Sequence, residues 1–304
     1  MGSLPATFST QLRRWRQRRR LSQLALALEA DISQRHVSFL EAGKAQPSRG
    51  MVLRLAEALA LPLRESNALL VAADFAPIYR QRRLDAPELA AARSAIDAIL
   101  TGQMPHPALA VDRYWNLLLA NRAVHRLLDG LPEQLLSAPL NVMRLSLHPE
   151  GLAPRILNLR EWRGHLLSRL AHEVELSADP DLAALLDEVS AYPGGGEHAA
   201  PDDEEHPATA VAVPLRLASE AGPLSFISTT TVFGTAVEVT LAEVTIEALL
   251  PADEHTAQAM RRLAAESRAG GQLSANSQKR SLLPKGSVTW IHSPQGSFSI
   301  SGRA

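Results

Sequence analysis

The sequence predicts an all-α head of about five helices followed by an α+β domain that contains an antiparallel sheet. Short helical patterns follow one another through residues 8–73, whereas segments between residues 209 and 249 alternate apolar and polar residues, as strands do. A chain of 304 residues is long enough for two domains with separate cores. We expect the following organisation: a head at 8–73, a linker at 74–87, an α+β domain at 88–269 and a disordered tail at 270–304.

Residues 21–43 indicate two short helices joined by a tight turn. Ser33 is a good N-cap for the second helix, and Gly43 suits the left-handed position that follows a helix. The second helix divides into an apolar face and a face of side chains that can hydrogen-bond base edges: Val37 and Leu40 against Gln34, Arg35 and Ser38. This is the arrangement that a helix-turn-helix recognition helix requires.

Residues 11–66 resemble the Cro/lambda-repressor-type (XRE) helix-turn-helix domain. The residues that match the family pattern are Gln23, Ala27, Val37, the Glu41-Ala42-Gly43 end of the second helix and Pro47 in the next turn. Asp31 departs from the pattern, because a glycine with positive φ is usual there; Asp adopts that conformation at moderate cost. The alternative is an ordinary two-helix hairpin of a helical bundle.

The helix-turn-helix interpretation assigns roles to individual side chains. We expect base contacts from Gln34, Arg35, Ser38 and Phe39. We expect phosphate contacts from Arg13, Gln23, His36, Lys44 and Arg49. The resemblance also implies a structural ion pair between Arg16 and Glu41, which would fix the first helix against the third. The expected partner is a double-stranded DNA operator, bound by a homodimer.

The charge distribution agrees with a DNA-binding head. Residues 1–83 contain 14 Lys and Arg against 6 Asp and Glu, whereas residues 84–304 contain 17 against 26. A near-neutral chain thus has a basic head, whereas residues 84–304 are acidic. Concentrated basic charge is typical of phosphate binding. A solvated helix face is the alternative explanation for the densest run of arginines, residues 13–20.

Composition and motif searches narrow the class of protein. The absence of cysteine excludes disulfides and cysteine-based metal sites, and it fits a reducing cytoplasm. The apolar runs are too short to span a membrane, and the N-terminus lacks a signal-peptide pattern. We find no nucleotide-binding, zinc-protease or serine-hydrolase motif, and therefore expect no enzyme activity, cofactor or metal.

The pattern beyond the linker predicts six helices and five strands. Helices are expected at 88–100, 121–128, 141–147, 156–176, 181–189 and 253–267, and two short strands within 108–120. Three antiparallel strands are expected at Thr209–Leu217, Pro223–Val232 and Ala236–Leu249. Residues 193–207 lack an apolar pattern and predict a mobile loop.

Residues 105–250 resemble the ligand-binding domain of MmyB-like regulators, which follows an XRE head in that family. The matching segments are Trp115–Asn121, Asn141–Pro149 and the later Trp162. The order of elements, with two strands, several helices and three meandering strands, also resembles a PAS-like sensor domain. One region departs from the family pattern, because residues 193–207 stand where the family has a segment containing Trp and His.

The resemblance implies a pocket for a small apolar or amphipathic molecule, such as a fatty acid. The residues expected to line it are Trp115, Arg144, Trp162, Leu166, Ile227 and Val239. The two tryptophans could equally pack in the core, and Arg144 could pair with a carboxylate outside the pocket. The chain is thus predicted to be a sequence-specific transcriptional regulator that senses a ligand. There are two alternatives. In the first, the C-terminal domain is a ligandless dimerisation or docking module. In the second, the chain is an enzyme with a DNA-binding head.

Overall fold

The structure of the chain, a computed structural model, describes residues 7–194, 212–274, 289–292 and 297–301. These residues form two compact units. The head unit contains the described residues of Met1–Arg83 together with Gly234–Ala242, and the sheet unit contains those of Leu84–Phe233 and Glu243–Ala304. Most of the predicted loop at 193–207 and the start of the predicted strand at Thr209 lie outside the described residues.

The head unit begins with five helices, and a capping side chain sets the start of four of them. They are α1 (Phe8–Arg18), α2 (Gln23–Glu29), α3 (Gln34–Glu41), α4 (Arg49–Ala58) and α5 (Leu63–Ala72). Four helices follow a hydroxyl-bearing N-cap that accepts a hydrogen bond from the backbone N–H three residues further on: Thr7, Ser22, Ser33 and Ser48. Each cap satisfies a donor that has no partner within the helix.

Each of the five helices is followed by a residue in the left-handed conformation. Positive φ values follow them at Arg20, Asp31, Gly43, Ala60 and Asp74. Asp31 has φ 50°, and the N–H of Ile32 donates to the carbonyl of Ala27 at 2.9 Å across the turn. Because this bond satisfies one of the last carbonyls of α2, Asp31 closes the turn between α2 and α3 in place of the usual glycine.

The segment 234–242 belongs to the head unit although it follows a strand of the sheet. Glu238 is buried, its carboxylate accepts the N–H of Arg82 at 2.7 Å and that of Leu241 at 3.0 Å, and the N–H of Val239 donates to the carbonyl of Arg80 at 2.8 Å. Glu238 thereby caps a short helix, α12 (Val239–Ala242). The single strand predicted at Ala236–Leu249 is therefore interrupted, because this carboxylate stabilises a helical turn that apolar alternation does not reveal.

The sheet unit combines helices with an antiparallel sheet. Its helices are α6 (Ala90–Gly102), α7 (Arg122–Leu128), α8 (Glu133–Leu136), α9 (Val142–Leu147), α10 (Leu159–Ser177), α11 (Pro180–Ser190) and α13 (Glu254–Ser274). Its strands are β1 (Ala108–Val111), β2 (Leu117–Asn121), β3 (Leu215–Leu217), β4 (Leu224–Val232), β5 (Thr245–Pro251), β6 (Thr289–His292) and β7 (Ser297–Ser301). The strand order is β3-β4-β5-β1-β2-β7-β6, and each neighbouring pair is antiparallel.

This architecture confirms the predicted fold class and adds structure where none was expected. The sequence predicts a disordered tail at 270–304, but within that range α13 continues to Ser274, and β6 and β7 extend the sheet from β2. Backbone pairing forms these two strands, and hydrophobic periodicity does not report such pairing. The other residues of the predicted tail lie outside the described residues.

The main core of the sheet unit lies between strands β3 and β4 and the helices α10 and α11. Its fully or nearly fully buried members include Phe226, Leu217, Leu170, Leu182 and Val189. A second cluster joins β2 to α7 and contains Leu117, Val124 and Leu140. These two clusters leave space between them, and this space is the cavity described below.

Candidate DNA-binding surface and ligand cavity

Helix α3 presents a polar face to solvent. Gln34, Arg35 and Phe39 are exposed and Ser38 is half-buried, whereas Val37 and Leu40 are completely buried. The guanidinium carbon of Arg35 lies 5.2 Å from the centre of the Phe39 ring, which holds the two exposed side chains together. The four residues predicted to contact bases therefore share one accessible surface of the helix.

The buried carboxylate at the end of α3 is fully engaged. Glu41 accepts a bidentate pair of hydrogen bonds from Arg16, at 2.6 Å from Nε and 2.9 Å from Nη2, and a third from Nε2 of Gln23 at 2.9 Å. Burial raises the pKa of Glu41, but the hydrogen bonds from Arg16 and Gln23 outweigh it and leave that pKa below its usual value. The pair ties α1 to α3, and Gln23 adds a link from α2.

The predicted phosphate-contacting residues divide into two groups. Lys44 and Arg49 are exposed beyond α3, and Arg13 is half exposed while its Nη2 donates to the carbonyl of Glu41 at 3.0 Å. Gln23 and His36 have intramolecular partners, because Gln23 donates to Glu41 and Nε2 of His36 lies 3.1 Å from the sulfur of Met51. A phosphate contact from Gln23 would have to use its second amide N–H.

The sheet unit contains a cavity lined mostly by apolar side chains. It has a volume of about 860 Å³, which includes the solvent-filled space at its open mouth. Lining residues come from the strands β1–β5 and from helices α7, α9 and α10, and they include Leu117, Leu128, Met143, Trp162 and Leu217. A space of this kind suits a small apolar molecule.

Three of the six predicted pocket residues line this cavity, namely Trp115, Trp162 and Leu166. Arg144 does not, because both its Nε and its Nη2 donate to Glu188 at 2.7 Å, outside the cavity. Ile227 does not, because its neighbours Phe226 and Ser228 face the cavity side of β4, and alternation turns Ile227 outward. Val239 does not, because it belongs to the head unit.

Trp115 reaches the cavity from a strained turn. Its φ is 64°, a left-handed conformation that costs a non-glycine residue about 1–2 kcal/mol. The carboxylate of Asp112 accepts the N–H groups of Tyr114 at 2.8 Å and Asn116 at 2.9 Å, and the carbonyl of Trp115 accepts the N–H of Val142 at 2.9 Å. These bonds hold the turn and aim the indole at the cavity.

The cavity has a polar end that sequence reasoning missed. Arg169 donates to Glu247 at 2.6 Å, and its guanidinium carbon lies 4.5 Å from the centre of the Trp115 ring. The indole N–H of Trp115 donates to Glu173 at 2.8 Å, and burial raises the pKa of Glu173. Arg169 and Glu247 are 78 residues apart, so no local spacing signals their pairing.

The described helices include none that is long and apolar enough to cross a membrane. Within the same described ranges, no three His, Asp or Glu side chains are grouped closely enough to hold a metal ion.

The exposed polar face of α3 in the head unit and the apolar cavity in the sheet unit are features that a DNA-binding protein with a separate ligand-binding domain requires. A helix-turn-helix family model matches residues 12–66, and the model of the MmyB-like transcription regulator ligand binding domain matches residues 92–263. No curated protein matches the chain. The chain belongs to the MmyB-like transcription regulators, and it is a DNA-binding transcription regulator whose C-terminal domain binds a small molecule.

Proposed function

We propose that this regulator binds its operator as a homodimer in the cytoplasm, and that an amphipathic molecule with an aliphatic chain occupies the cavity and changes its affinity for DNA. The observation that most supports this proposal is the cavity itself, which lies in a domain of a ligand-binding family and has walls made mainly of Leu, Val, Met and Trp side chains. We further propose that the chain acts by binding alone and is not an enzyme.

The shape of the cavity favours a ligand with an apolar body. Its walls offer few hydrogen-bonding groups apart from those at one end, around Arg169, Ser228 and Glu247. An aliphatic chain that leaves water for such walls gains roughly 0.8 kcal/mol for each buried methylene group. A polar ligand would leave its own groups without partners against these walls, and burial without partners is costly.

The short reach of one recognition helix supports the proposal of dimeric binding. The exposed face of α3 presents Gln34, Arg35, Ser38 and Phe39, which can read only a few base pairs. Two copies related by a two-fold axis double the number of base pairs contacted. They place the half-sites about 10 base pairs apart, or at a multiple of that spacing. Footprinting with sedimentation of the complex tests this, and a single asymmetric half-site bound by one chain would contradict it.

Filling the cavity tests the ligand proposal. Leu166 lines the cavity on α10, whereas Leu176 lies on the same helix and is exposed. We expect Leu166→Trp to fold with near wild-type stability and to lose the aliphatic molecules that mass spectrometry finds in the wild type. The control Leu176→Trp should retain them.

Loss of stability in Leu166→Trp would instead indicate a tightly packed sheet unit. If the strands and helices around Leu166 instead pack flush against each other, Leu166→Trp overpacks this core and lowers the free energy of unfolding by about 1–3 kcal/mol. Such a loss, together with no aliphatic molecule released from the wild type, would contradict the ligand proposal and leave a dimerisation or docking module.

A further inference from the structure

The chain between strands β4 and β5 leaves the sheet unit and then returns to it. Strand β4 ends at Val232 and β5 begins at Thr245, and residues 234–242 between them belong to the head unit. We call residues 233–244 the β4–β5 loop. The backbone therefore passes from one unit to the other at three points instead of at a single linker: after Arg83, after Phe233 and after Ala242.

Glu238 anchors the middle of the β4–β5 loop in the head. Its two carboxylate oxygens accept hydrogen bonds from different backbone donors, the N–H of Arg82 at 2.7 Å and that of Leu241 at 3.0 Å. The hydroxyl of Thr240 donates to the carbonyl of Arg82, so Arg82 is held from both its amide and its carbonyl. Because Glu238 is 7% exposed, water competes weakly for these hydrogen bonds.

The segment that Glu238 holds is itself fixed to the helices of the head. Asn67 on α5 accepts the N–H groups of Ile78 at 3.0 Å and Tyr79 at 3.1 Å, and it donates to the carbonyl of Tyr79 at 2.7 Å. Helix α5 packs against α12 and against α1, the helix whose ion pair holds the end of α3. Glu238 is therefore connected to α3 through hydrogen bonds and packing within the head.

Glu243 anchors the end of the same loop in the sheet unit. It accepts a hydrogen bond from Nη1 of Arg113 at 3.0 Å, and both side chains are mostly buried. Arg113 belongs to the turn between β1 and β2, and Trp115 of that turn lines the cavity. Nη2 of Arg113 donates to Asp179 at 2.6 Å, which fixes the guanidinium. The first residue after the head segment is thus paired with a turn that forms part of the cavity wall.

The strands also connect the β4–β5 loop with the cavity. Ser228 on β4 and Glu247 on β5 line the cavity, and the hydroxyl groups of Ser228 and Thr230 both donate to Glu247. Thr230 lies opposite Glu247, and the pair Val232 and Thr245 lies two residues further along. At about 3.3 Å per residue, the loop begins about 7 Å beyond the part of the sheet that lines the cavity.

We propose that the β4–β5 loop transmits the occupancy of the cavity to the head, with Glu238 and Glu243 as its positioning residues. A ligand that binds one arrangement of the cavity wall more tightly than another stabilises that arrangement. A change at Trp115 or Glu247 reaches the loop through Glu243 and through β5, and the hydrogen bonds of Glu238 convey it to the head. This inference rests on the proposed function, since it assumes that an occupied cavity changes the affinity for DNA.

Replacing each anchor separates coupling from binding. Glu238→Gln keeps one acceptor oxygen and turns an amide group towards a backbone donor, and Glu243→Gln removes the charge that pairs with Arg113. The operator Kd of each full-length variant, checked for folding by circular dichroism, is measured with and without saturating decanol, an uncharged aliphatic probe. We expect both variants to bind decanol and the operator within about threefold of the wild type, but to lose most of the change in operator Kd that decanol causes.

Glu220→Gln is the matched control, because Glu220 is exposed in the turn between β3 and β4. It should keep the whole response to decanol. A wild-type response in either Glu238→Gln or Glu243→Gln would overturn the inference and leave the proposed function standing. Loss of the response together with loss of decanol binding would show that the anchor only supports the fold, and this result would also overturn the inference.

Amide hydrogen exchange tests the connection without a ligand. The N–H groups of Ile78, Tyr79 and Arg82 are all hydrogen-bonded within the head. We expect Glu243→Gln, a change in the sheet unit, to speed their exchange at least about threefold, and Glu220→Gln to leave it unchanged. Unchanged exchange in Glu243→Gln would overturn the inference. If decanol leaves the operator Kd of the wild type unchanged, the proposed function fails, and this exchange experiment still decides whether the loop connects cavity and head.

Discussion

Arg16 and Glu41 form a bidentate ion pair that joins the first helix of the head to the end of the recognition helix. The side chain of Glu41 is 1% exposed and that of Arg16 is 13% exposed, so water screens the pair weakly. Arg16 also donates to the carbonyl of Leu21 at 2.8 Å, beside the start of α2. One arginine thus connects the three helices that set the orientation of the recognition helix.

Removing Arg16 should destabilise the head more than removing another arginine of α1. Arg16→Ala leaves the buried carboxylate of Glu41 without its main partner, and we expect the free energy of unfolding to fall by about 3 kcal/mol. Arg14 lies exposed on the same helix and serves as the control, with an expected change within about 0.5 kcal/mol. Equal urea unfolding curves for the two variants would show that the ion pair contributes little.

Arg35 should determine base preference at one position of the operator. An arginine at the start of a recognition helix pairs with guanine through two hydrogen bonds, and we expect Arg35→Ala to cost roughly 1–3 kcal/mol there and relax the preference. The exposed Arg54 on α4 is the control, since its replacement changes the charge equally. The assignment is wrong if Arg35→Ala discriminates among operator point variants as the wild type does.

Lys44 and Arg49 should contribute affinity without sequence preference. Replacing either by Ala should weaken binding to specific and non-specific DNA about equally and lower the salt dependence by about one unit per lost phosphate contact. The control is Arg261→Ala, which removes the same charge from α13 in the sheet unit. A salt dependence as steep as that of the wild type would exclude phosphate contact by the residue tested.

Glu173 should make the sheet unit less stable as pH rises. Burial raises the pKa of Glu173 above its ordinary value of 4.5, so the folded chain holds a proton that the unfolded chain has already released. This contribution to stability is present below the ordinary pKa and is lost as pH rises through the folded pKa. We expect Glu173→Gln to gain stability relative to the wild type with rising pH, as measured by urea unfolding.

The exposed Glu175 on the same helix is the matched control for this pH dependence. Glu175→Gln should differ from the wild type by a nearly constant amount across the same pH range. A constant difference for Glu173→Gln as well would show that burial of that carboxylate does not shift its titration.

Local chemistry explains which parts of the head were predictable from the sequence. Ser33 and Gly43 fix the ends of α3 through interactions within a few residues, so their roles follow from residue type and spacing. The positive φ of Asp31 was expected from the family resemblance, since the family usually has a glycine with positive φ at this turn. By contrast, the hydrogen bond from Gln23 to Glu41 has no sequence signal beyond the family pattern.

The cavity was less predictable because strand register and long-range pairing determine it. A shift of one residue along β4 exchanges its faces, which is why Ile227 was expected in the pocket and points outward. Arg169 and Glu247 come from α10 and β5, and only the folded chain brings them together. Trp115 and Trp162 could be chosen from the sequence, but the sequence left open whether they pack in the core or line a cavity.

The central claim, that the cavity controls DNA binding, is tested most directly by operator affinity with and without a bound ligand at one salt concentration. The wild type and Leu166→Trp are compared at a decanol concentration that saturates the wild type by calorimetry. We predict that decanol changes the operator Kd of the wild type at least about fivefold and leaves that of Leu166→Trp unchanged. An operator Kd for the saturated wild type equal to that of the free protein would contradict the claim.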